Sequence, residues 1–306
     1  MKPKHLVTLQ DLDRGAILQL FRTTAELKQQ RKAPSKPLAG KTLGLLFQKP
    51  SVRTRVSFEV GMGQLGGTSL YIGPVELQEG KREAPKDMAR VLSRYLDGIV
   101  ARTFRHSEVE EMARFSDIPV INGLSDTSHP CQGLADLFTV QEKKGRLQGV
   151  KIAYIGDGNN VCHSLMEGCA LLGVHLSVAT PKGYLPDPVV ARWALQQAKK
   201  SGARIEFTLD PARSVRGATV VYTDVWTSMG QEQEKLRRQK AFKGFRVDSA
   251  MMKAAGREAL FMHCLPAHRG EEVTDEVMDS KQSIVYDQAE NRLHVQKAIL
   301  LSLLKK

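Results

Sequence analysis

Short apolar stretches of strand length alternate with amphipathic helical patterns along almost the whole chain. The strand-like stretches are residues 41–47, 98–101, 118–121, 150–155, 175–179, 204–208, 219–223 and 260–263. The helical patterns are residues 52–65, 86–96, 107–115, 133–143 and 291–304. Such alternation is typical of α/β layers. We therefore predict an α/β fold built from mostly parallel sheets that are flanked by helices.

The length of the chain favours two domains. A chain of 306 residues is long enough for two domains that each bury a core. A charged stretch bounded by glycines, residues 145–149, interrupts the pattern before a fresh series of strands and helices begins. We predict one domain over residues 1–147 and a second over residues 148–285. The final amphipathic helix, at about residues 286–306, can pack back on the first domain.

The net charge of +12 raises the question of a nucleic-acid partner. Residues 1–145 carry 22 basic and 16 acidic side chains, and residues 146–306 carry 23 and 17, so the excess is spread evenly. The most basic short stretch, residues 235–240, follows two glutamates, which is more typical of a solvated helix face than of a phosphate-binding arm. We expect no nucleic-acid partner and keep nucleic-acid binding as the alternative hypothesis.

Cysteine usage and hydropathy bear on the cellular location. The four cysteines stand at positions 131, 162, 169 and 264, with no Cys-x-x-Cys pair and no spacing typical of zinc ligands. The N-terminal residues lack the apolar segment of a secretory signal, and no apolar run approaches the roughly 18–20 residues that a membrane span requires. We therefore expect a soluble cytoplasmic protein with reduced thiols, no membrane segment, no metal and no cofactor.

The strongest local signal for ligand binding is the segment Gln48-Lys-Pro-Ser-Val-Arg-Thr-Arg55, which follows the first predicted strand. Pro50 and Ser51 mark a helix start, with Ser51 as its N-cap. Free backbone N–H groups, two hydroxyl groups and two guanidinium groups converge there, which is the chemistry of a phosphate site. The frame of a P-loop is absent. The alternative is a capped helix whose arginines face solvent.

Polar side chains also follow three other predicted strands. Arg102 comes after residues 98–101, His129-Pro-Cys-Gln132 comes after residues 118–121, and His263-Cys-Leu-Pro-Ala-His-Arg269 ends another strand. Open α/β sheets bind ligands at the carboxyl ends of their strands, so we expect these groups to face one crevice. Taken singly, each of them is more often structural than catalytic.

Two further segments each leave two interpretations open. The turn Gly156-Asp-Gly158-Asn-Asn-Val161 resembles the start of a dinucleotide fingerprint, but a valine stands where the third glycine is required, so we expect no nicotinamide site. A tight connection, or a pair of ligand-binding amides from Asn159 and Asn160, explains it. The segment Asp224-Val-Trp-Thr-Ser-Met-Gly230 suits a closing lid. The alternative is a surface loop with Trp226 packed into the core.

In their order and spacing, these motifs resemble those of the ornithine carbamoyltransferases, and the likeness covers nearly the whole chain. The matching elements are Ser51-Val-Arg-Thr-Arg55 with Val56-Ser-Phe-Glu59, Gln78-Glu-Gly-Lys-Arg-Glu83, Arg102-Thr103, His129-Pro-Cys-Gln132, Asp157-Gly-Asn-Asn160, Asp224 with Ser228-Met-Gly230, and His263-Cys-Leu-Pro266. The Ser-x-Arg-Thr-Arg and His-Pro-x-Gln elements are shared with aspartate carbamoyltransferases and specify carbamoyl phosphate. The Ser-Met-Gly and His-Cys-Leu-Pro elements are similar to the ornithine branch.

The resemblance implies two α/β domains with the active site in the cleft between them, the first binding carbamoyl phosphate and the second ornithine. It implies transfer of the carbamoyl group from carbamoyl phosphate to the δ-amine of L-ornithine, which gives L-citrulline and phosphate in arginine metabolism. The mechanism that the resemblance implies is direct attack by the amine, through a tetrahedral intermediate and without a cofactor. The resemblance also implies a homotrimer or a multiple of trimers, in which Gln78 reaches the site of a neighbouring subunit.

The same resemblance assigns the site residues. For carbamoyl phosphate it implies Ser51, Val52, Arg53, Thr54, Gln78, Arg102, His129, Gln132, Cys264, Leu265 and Arg292. For ornithine it implies Asn160, Asp224, Ser228 and Met229, and for catalysis Arg102, His129, Asp224 and Cys264. Val52 departs from the threonine that is usual in the family, and only its backbone N–H is needed for phosphate. We expect Cys264 to position groups and handle protons with Asp224, and not to act as a nucleophile.

Overall fold

A computed structural model of the chain describes residues 3–29, 36–79, 83–228 and 232–305, without the side chains of residues 78, 79 and 232. The chain forms two compact units. Unit 1 comprises Met1–Ala135 and Glu290–Lys306, and unit 2 comprises Asp136–Ala289. The last stretch of the chain thus belongs to the same unit as the first. The predicted domain boundaries, at 147/148 and 285/286, stay predictions.

Unit 1 contains a parallel sheet of four strands in its described part. The strands are β1 (Thr42–Phe47), β2 (Thr68–Ile72), β3 (Gly98–Arg102) and β4 (Val120–Leu124), and their spatial order is β2-β1-β3-β4. The central strands β1 and β3 are apolar and almost fully buried, as their sequence patterns predict. Strand β2 is not predicted from the sequence, because this edge strand is half exposed and lacks an apolar run.

Helices flank the sheet of unit 1. They are α1 (Arg14–Gln29), α2 (Val52–Gln64), α3 (Pro74–Glu79), α4 (Pro85–Leu92), α5 (His106–Phe115) and the beginning of α6 (Pro130–Lys144). An apolar cluster that includes Ala89, Ile99, Val109 and Met112 packs α4 and α5 against the sheet. The helix predicted at 86–96 ends at α4's last residue instead, because the chain then forms turns in which the Tyr95 N–H bonds to the Leu92 carbonyl.

Unit 2 contains a parallel sheet of five strands in its described part. The strands are β5 (Lys151–Ile155), β6 (His175–Ala179), β7 (Ile205–Thr208), β8 (Val220–Thr223) and β9 (Leu260–His263), in the spatial order β7-β6-β5-β8-β9. Each strand begins within one residue of its predicted position. The described helices are α7 (Asn160–Leu172), α8 (Pro188–Ser201), α9 (Pro211–Val215), α10 (Lys235–Ala241), α11 (Ser249–Ala255) and α12 (Asp275–Met278).

The final helix, α13 (Val285–Leu304), agrees with the predicted helix at about residues 286–306. Its residues from Glu290 onward belong to unit 1. Helix α13 is the longest described helix, but neither it nor any other helix in the described ranges combines the length and apolar character needed to cross a membrane.

The two parallel-sheet units with their flanking helices confirm the predicted fold class. In each sheet the strand order reverses at one point, between β1 and β3 in unit 1 and between β5 and β8 in unit 2. Open α/β sheets bind ligands outside the carboxyl ends of the strands beside such a switch point. The segments that follow β1, β3, β5 and β8 are therefore the places to look for functional side chains.

Candidate active site

The first group of candidate residues lies where β1 leads into α2, at the switch point of unit 1. The Ser51 side chain accepts a hydrogen bond from the Thr54 N–H at 3.3 Å, which confirms Ser51 as the N-cap of α2. The Ser51 hydroxyl also donates to Thr54 Oγ1 at 3.2 Å. Because the first turn of a helix has N–H groups without intrahelical partners, this turn offers backbone donors, two hydroxyls and a positive helix end to an anion.

Arg292 joins two other predicted residues to this helix start. From α13, its Nη1 donates to Gln132 Oε1 at 2.6 Å and its Nη2 donates to Thr54 Oγ1 at 3.2 Å. Gln132 lies in the first turn of α6. The return of α13 to unit 1 therefore places three residues that are far apart in the sequence around one point.

Two buried cationic side chains, Arg102 and Lys49, lie beside this point. Arg102, at the carboxyl end of β3, is 4% exposed, and no acceptor in the described part of the chain bonds its buried Nε. Burial and the nearby charges of Arg292 and Arg53 lower its pKa to about 10. Lys49 Nζ lies 4.9 Å from the ring centroid of Phe104, and burial followed by the charge of Arg102 lowers its pKa to about 8. Among the described residues, neither Arg102 nor Lys49 forms an ion pair.

His129 stands just before α6 and is buried in the same region. Burial lowers its pKa well below the ordinary value, and the charges of Arg292, Arg102 and Lys49 lower that pKa further. The imidazole is therefore neutral at pH 7 and carries one N–H group. Cations around a neutral imidazole form an arrangement that an anion of more than one charge would stabilise.

The second group of candidate residues lies at the switch point of unit 2, with Asp224 at its centre. Asp224 follows β8 directly and is 5% exposed. Its Oδ1 accepts from the Cys264 thiol at 2.9 Å and from the Val225 N–H at 2.8 Å, and its Oδ2 accepts from Asn159 Nδ2 at 2.7 Å. The structure thus joins Asp224 to Cys264, as the expected proton-handling pair requires.

The turn after β5 carries the residues that support Asp224. Asn159 is the N-cap of α7, since its Oδ1 accepts from the N–H groups of Val161 and Cys162, and Asn160 is the first residue of that helix. Gly158 lies so close to the 185–186 backbone that a Cβ would collide with Pro186 N. The turn is therefore a tight connection whose Asn159 amide binds Asp224, and ligand binding by its amides stays a prediction.

A buried hydrogen-bond network fixes the segment that carries Cys264. His263 Nδ1 accepts from the Leu265 N–H at 2.8 Å, so the ring proton sits on Nε2, which donates to Glu272 Oε1 at 3.1 Å. His263 and Glu272 are both completely buried, and Gln288 Nε2 donates to the His263 carbonyl at 2.6 Å. Leu265 has a φ of 60°, a left-handed conformation that is strained for a leucine. The network holds this strained segment in place.

The same segment contains atoms of the kind that bind metals. Possible ligand atoms of Asp224, His263 and Cys264 lie within 4.8 Å of one another. Both ring nitrogens of His263 are already engaged, however, one as an acceptor from Leu265 and one as a donor to Glu272. The residues present therefore fit a positioning role for His263 better than ligation.

Several sequence-predicted residues lie outside these networks. The side chain of Gln78, in the last turn of α3, and Met229 both fall outside the described residues, and Ser228 is the last described residue before 229–231. Trp226 stacks on Phe242 with 5.7 Å between the ring centroids, in the core of unit 2. The core alternative for Trp226 is thus confirmed. The predicted carbamoyl phosphate residues Cys264 and Leu265 lie in unit 2, and the others lie in unit 1.

Three side chains take positions in the structure that their sequence patterns do not predict. Lys49 lies among the buried cations of unit 1, and a lysine between a buried strand and a helix start is a recognisable signal. Asn159 was weighed as a ligand amide, whereas its side chain caps α7 and holds Asp224. Glu272 gave no signal at all, because nothing in its sequence context shows that a glutamate there is buried against His263.

Known protein families account for almost the entire chain. Residues 4–142 match the family model described as "Aspartate/ornithine carbamoyltransferase, carbamoyl-P binding domain". Residues 148–303 match a second family model, described as "Aspartate/ornithine carbamoyltransferase, Asp/Orn binding domain".

Individual relatives give the branch of the family. The ornithine carbamoyltransferase of Thermococcus kodakarensis is 54% identical over 299 residues, which cover 97% of this chain and 95% of that protein. The structure of ornithine carbamoyltransferase from Pyrococcus furiosus superposes with a TM-score of 0.95 at 53% identity, covering 98% of this chain and 97% of that one. The structure of ornithine carbamoyltransferase from Gloeobacter violaceus superposes with a TM-score of 0.89 at 46% identity, with 98% of each chain covered. The chain therefore belongs to the ornithine carbamoyltransferase family.

Proposed function

We propose that this chain transfers the carbamoyl group of carbamoyl phosphate to the δ-amine of L-ornithine, giving L-citrulline and phosphate. The observation that carries the proposal is the buried group of cations in unit 1. Arg102 and Lys49 have lowered pKa values and form no ion pair within the described residues, so a dianionic phosphate would relieve their repulsion. Membership of the family supports the same reaction.

Carbamoyl phosphate binds, in this proposal, to the switch point of unit 1. Its phosphate accepts hydrogen bonds at the start of α2, from Ser51, the backbone of Val52, Arg53 and Thr54, with Gln78 supplied by a neighbouring subunit. Arg102 and the neutral His129 donate to the carbonyl oxygen, which makes the carbamoyl carbon more electrophilic. Gln132 and Arg292, already hydrogen-bonded to each other at 2.6 Å, close the carbamoyl end. Cys264 and Leu265 line the reacting centre.

Ornithine binds, in this proposal, to the switch point of unit 2 through Asn160, Asp224, Ser228 and Met229. Its δ-amine has to lose a proton before it attacks, because an alkylamine has a pKa near ~10.4 and is almost fully protonated at pH 7. The hydrogen-bonded pair of Cys264 and Asp224 lies at 2.9 Å and provides groups that orient the amine and accept its proton. A cationic, water-poor site also lowers the pKa of a bound amine, which favours the neutral form that attacks.

The amine then attacks the carbamoyl carbon directly. A C–N bond forms, the carbonyl electrons move to oxygen, and the resulting oxyanion is stabilised by Arg102, His129 and Thr54. The tetrahedral intermediate collapses when the C–O bond to phosphate breaks, and the leaving phosphate takes the second proton, which the nitrogen loses only after it has attacked. No covalent intermediate on Cys264 is needed.

Steady-state kinetics test this function. Formation of the carbamoylated product is measured with carbamoyl phosphate and, in separate reactions, L-ornithine, N-acetylornithine and putrescine. We expect efficient turnover with L-ornithine, because Asp224 suits a substrate with a free α-amino group. Turnover only with a substrate that lacks the free α-amino group would contradict ornithine as the substrate. Failure to carbamoylate any of the amines would overturn the function itself.

We also infer a homotrimer or a multiple of trimers. An apolar stripe supports a second copy of this chain as the partner: Val52, Val56 and Val60 lie one helical turn apart on α2 and are 77%, 48% and 41% exposed. Leu70, on the edge strand β2, and Val75, on α3, are exposed as well. Gln78 follows Val75 by one helical turn, which agrees with a residue that serves a neighbouring subunit.

A place in arginine metabolism and a cytoplasmic location complete the proposal. The location is supported by the cysteines, since all four lie in the described residues and none of them forms a disulfide there.

A further inference from the structure

Arg238 is a buried arginine in the most basic stretch of the chain. It lies on α10 and is 6% exposed, whereas its neighbour Arg237 is exposed. A guanidinium group is costly to bury unless its donors find acceptors, so the partners of Arg238 show what the burial achieves.

The guanidinium group of Arg238 reaches two separate segments of unit 2. Its Nη1 donates to Asp157 Oδ2 at 2.7 Å and to the Trp226 carbonyl at 2.9 Å, and its Nε donates to Glu234 Oε2 at 3.0 Å. The guanidinium carbon also lies 5.0 Å from the ring centroid of Tyr184. One side chain thus connects α10 with the turn after β5 and with the segment after β8.

Both segments carry residues of the proposed ornithine site. Asp157 stands two residues before Asn159, which caps α7 and donates to Asp224, and three residues before Asn160. Trp226 stands between Asp224 and Ser228 in the segment after β8. Displacement of either Asp157 or the Trp226 carbonyl would therefore shift groups that orient ornithine, although Arg238 itself contacts none of the predicted ornithine residues through a described hydrogen bond.

We infer that Arg238 is a positioning residue for ornithine binding, acting through Asp157 and the Trp226 carbonyl. The inference rests on the proposed function, because it deepens the assignment of the same site. Nη1 binds the acceptors from the two segments while Nε binds Glu234, so the planar group holds all three acceptors at once, which the single ammonium of a lysine does less well.

The charge of Asp157 also depends on Arg238. Burial raises the pKa of Asp157, the charges of Asp224 and Glu234 act in the same direction, and Arg238 opposes them. Loss of Arg238 would leave a buried carboxylate without its cation, and this carboxylate would then move or take up a proton. Either response displaces the turn that holds Asn159.

Kinetics of two neighbouring variants test the inference. Arg238→Met removes the buried guanidinium, and Arg237→Met removes the same charge from the exposed side of the same helix. For R238M we expect the KM for ornithine to rise about tenfold to a hundredfold, as for a displacement of binding groups by about 1 Å. The KM for carbamoyl phosphate should stay unchanged, because its predicted phosphate ligands lie in unit 1. R237M should retain the wild-type KM values for ornithine and for carbamoyl phosphate.

Arg238→Lys gives a graded result, since it keeps the charge but not the fork, and its KM for ornithine should lie between those of the wild type and R238M. A merely structural role would lower the active fraction, and thus kcat, while leaving both KM values unchanged. An unchanged KM for ornithine in R238M, whether or not kcat falls, would overturn the inference. An equal rise of the KM values for both substrates would overturn it as well.

The double variant Asp157→Asn/Arg238→Met guards against a folding failure of R238M. It removes both charges of the buried pair, so the thermal unfolding midpoint should exceed that of R238M while the KM for ornithine stays raised. A wild-type KM in the folded double variant would also overturn the inference. If the wild type itself makes no citrulline, the proposed function fails; if the wild type is active and R238M binds ornithine normally, only the role of Arg238 fails.

Discussion

The surroundings of Arg102 disfavour the charged form of its guanidinium group. Burial and the charges of Arg292 and Arg53 lower its pKa to about 10, and in the described part of the chain no carboxylate is ion-paired with it. An anion that binds there meets donors that are already in place, so little reorganisation is needed when negative charge develops on the carbonyl oxygen. Such preorganised donors stabilise an oxyanion far better in a buried site than in water.

Replacement of Arg102 by leucine should separate catalysis from folding. We expect Arg102→Leu to lower kcat by at least about 10²–10³-fold, the usual effect of losing one oxyanion donor. The thermal unfolding midpoint should not fall, because the change removes a buried cation and its repulsion. Arg105→Leu is the control, since Arg105 stands three residues later and its side chain is 75% exposed in an ion pair with Glu108. Near-normal turnover in R102L would contradict the assignment of Arg102.

At the scale of the secondary-structure element, the start of α2 is both a capped helix end and the proposed phosphate site. The chain offers a matched helix start without a proposed ligand: Asp187 caps α8 by accepting from the N–H groups of Val189 and Val190 at 2.7 and 3.3 Å. Comparison of Ser51 with Asp187 therefore separates the stability of a cap from the binding of phosphate.

Alanine at each cap position tests this separation. Ser51→Ala and Asp187→Ala should each lower the free energy of unfolding by about 1 kcal/mol, the usual contribution of an N-cap. Only S51A should raise the KM for carbamoyl phosphate, by about tenfold, because a hydrogen bond to a charged group contributes about 1.5–3 kcal/mol. Denaturant unfolding and steady-state kinetics give the two quantities. An equal change of this KM in both variants would show that Ser51 acts as a cap alone.

Elements with a local signal were predictable, and long-range polar pairs were not. The buried strands β1 and β3 and the N-cap Ser51 follow from apolar runs and cap chemistry, which are properties of neighbouring residues. Strand β2 escaped because edge exposure removes the apolar pattern. The Asp157–Arg238 pair joins residues 81 positions apart, and only the fold brings them together. The motif resemblance supplied the remaining site residues, which the patterns alone left with structural alternatives.

At the scale of the whole molecule, the excess positive charge does not form a free basic arm in the described part of unit 2. Within the most basic stretch, Arg238 is buried in ion pairs and Lys235 pairs with Glu271 at 3.2 Å, which leaves Arg237 and Lys240 as the exposed cations without an ion pair among the described residues. A nucleic-acid-binding arm requires cations that are available to several phosphates. In unit 1, Arg102 and Lys49 are instead buried beside one predicted phosphate site and form no ion pair among the described residues, which favours a small dianion over a polymer.

The assembly of whole molecules is open to a direct test with two valines. Val60 belongs to the exposed stripe on α2, and Val189, on α8, is 68% exposed in unit 2. Sedimentation should give the wild type the mass of a trimer or a multiple of it. Val60→Glu should dissociate the assembly, because a charge buried against an apolar partner surface is strongly unfavourable, whereas Val189→Glu should leave it intact. Activity should fall with the dissociation, since Gln78 then has no neighbouring site to complete. A fully active wild-type monomer would contradict both the trimer and the role proposed for Gln78.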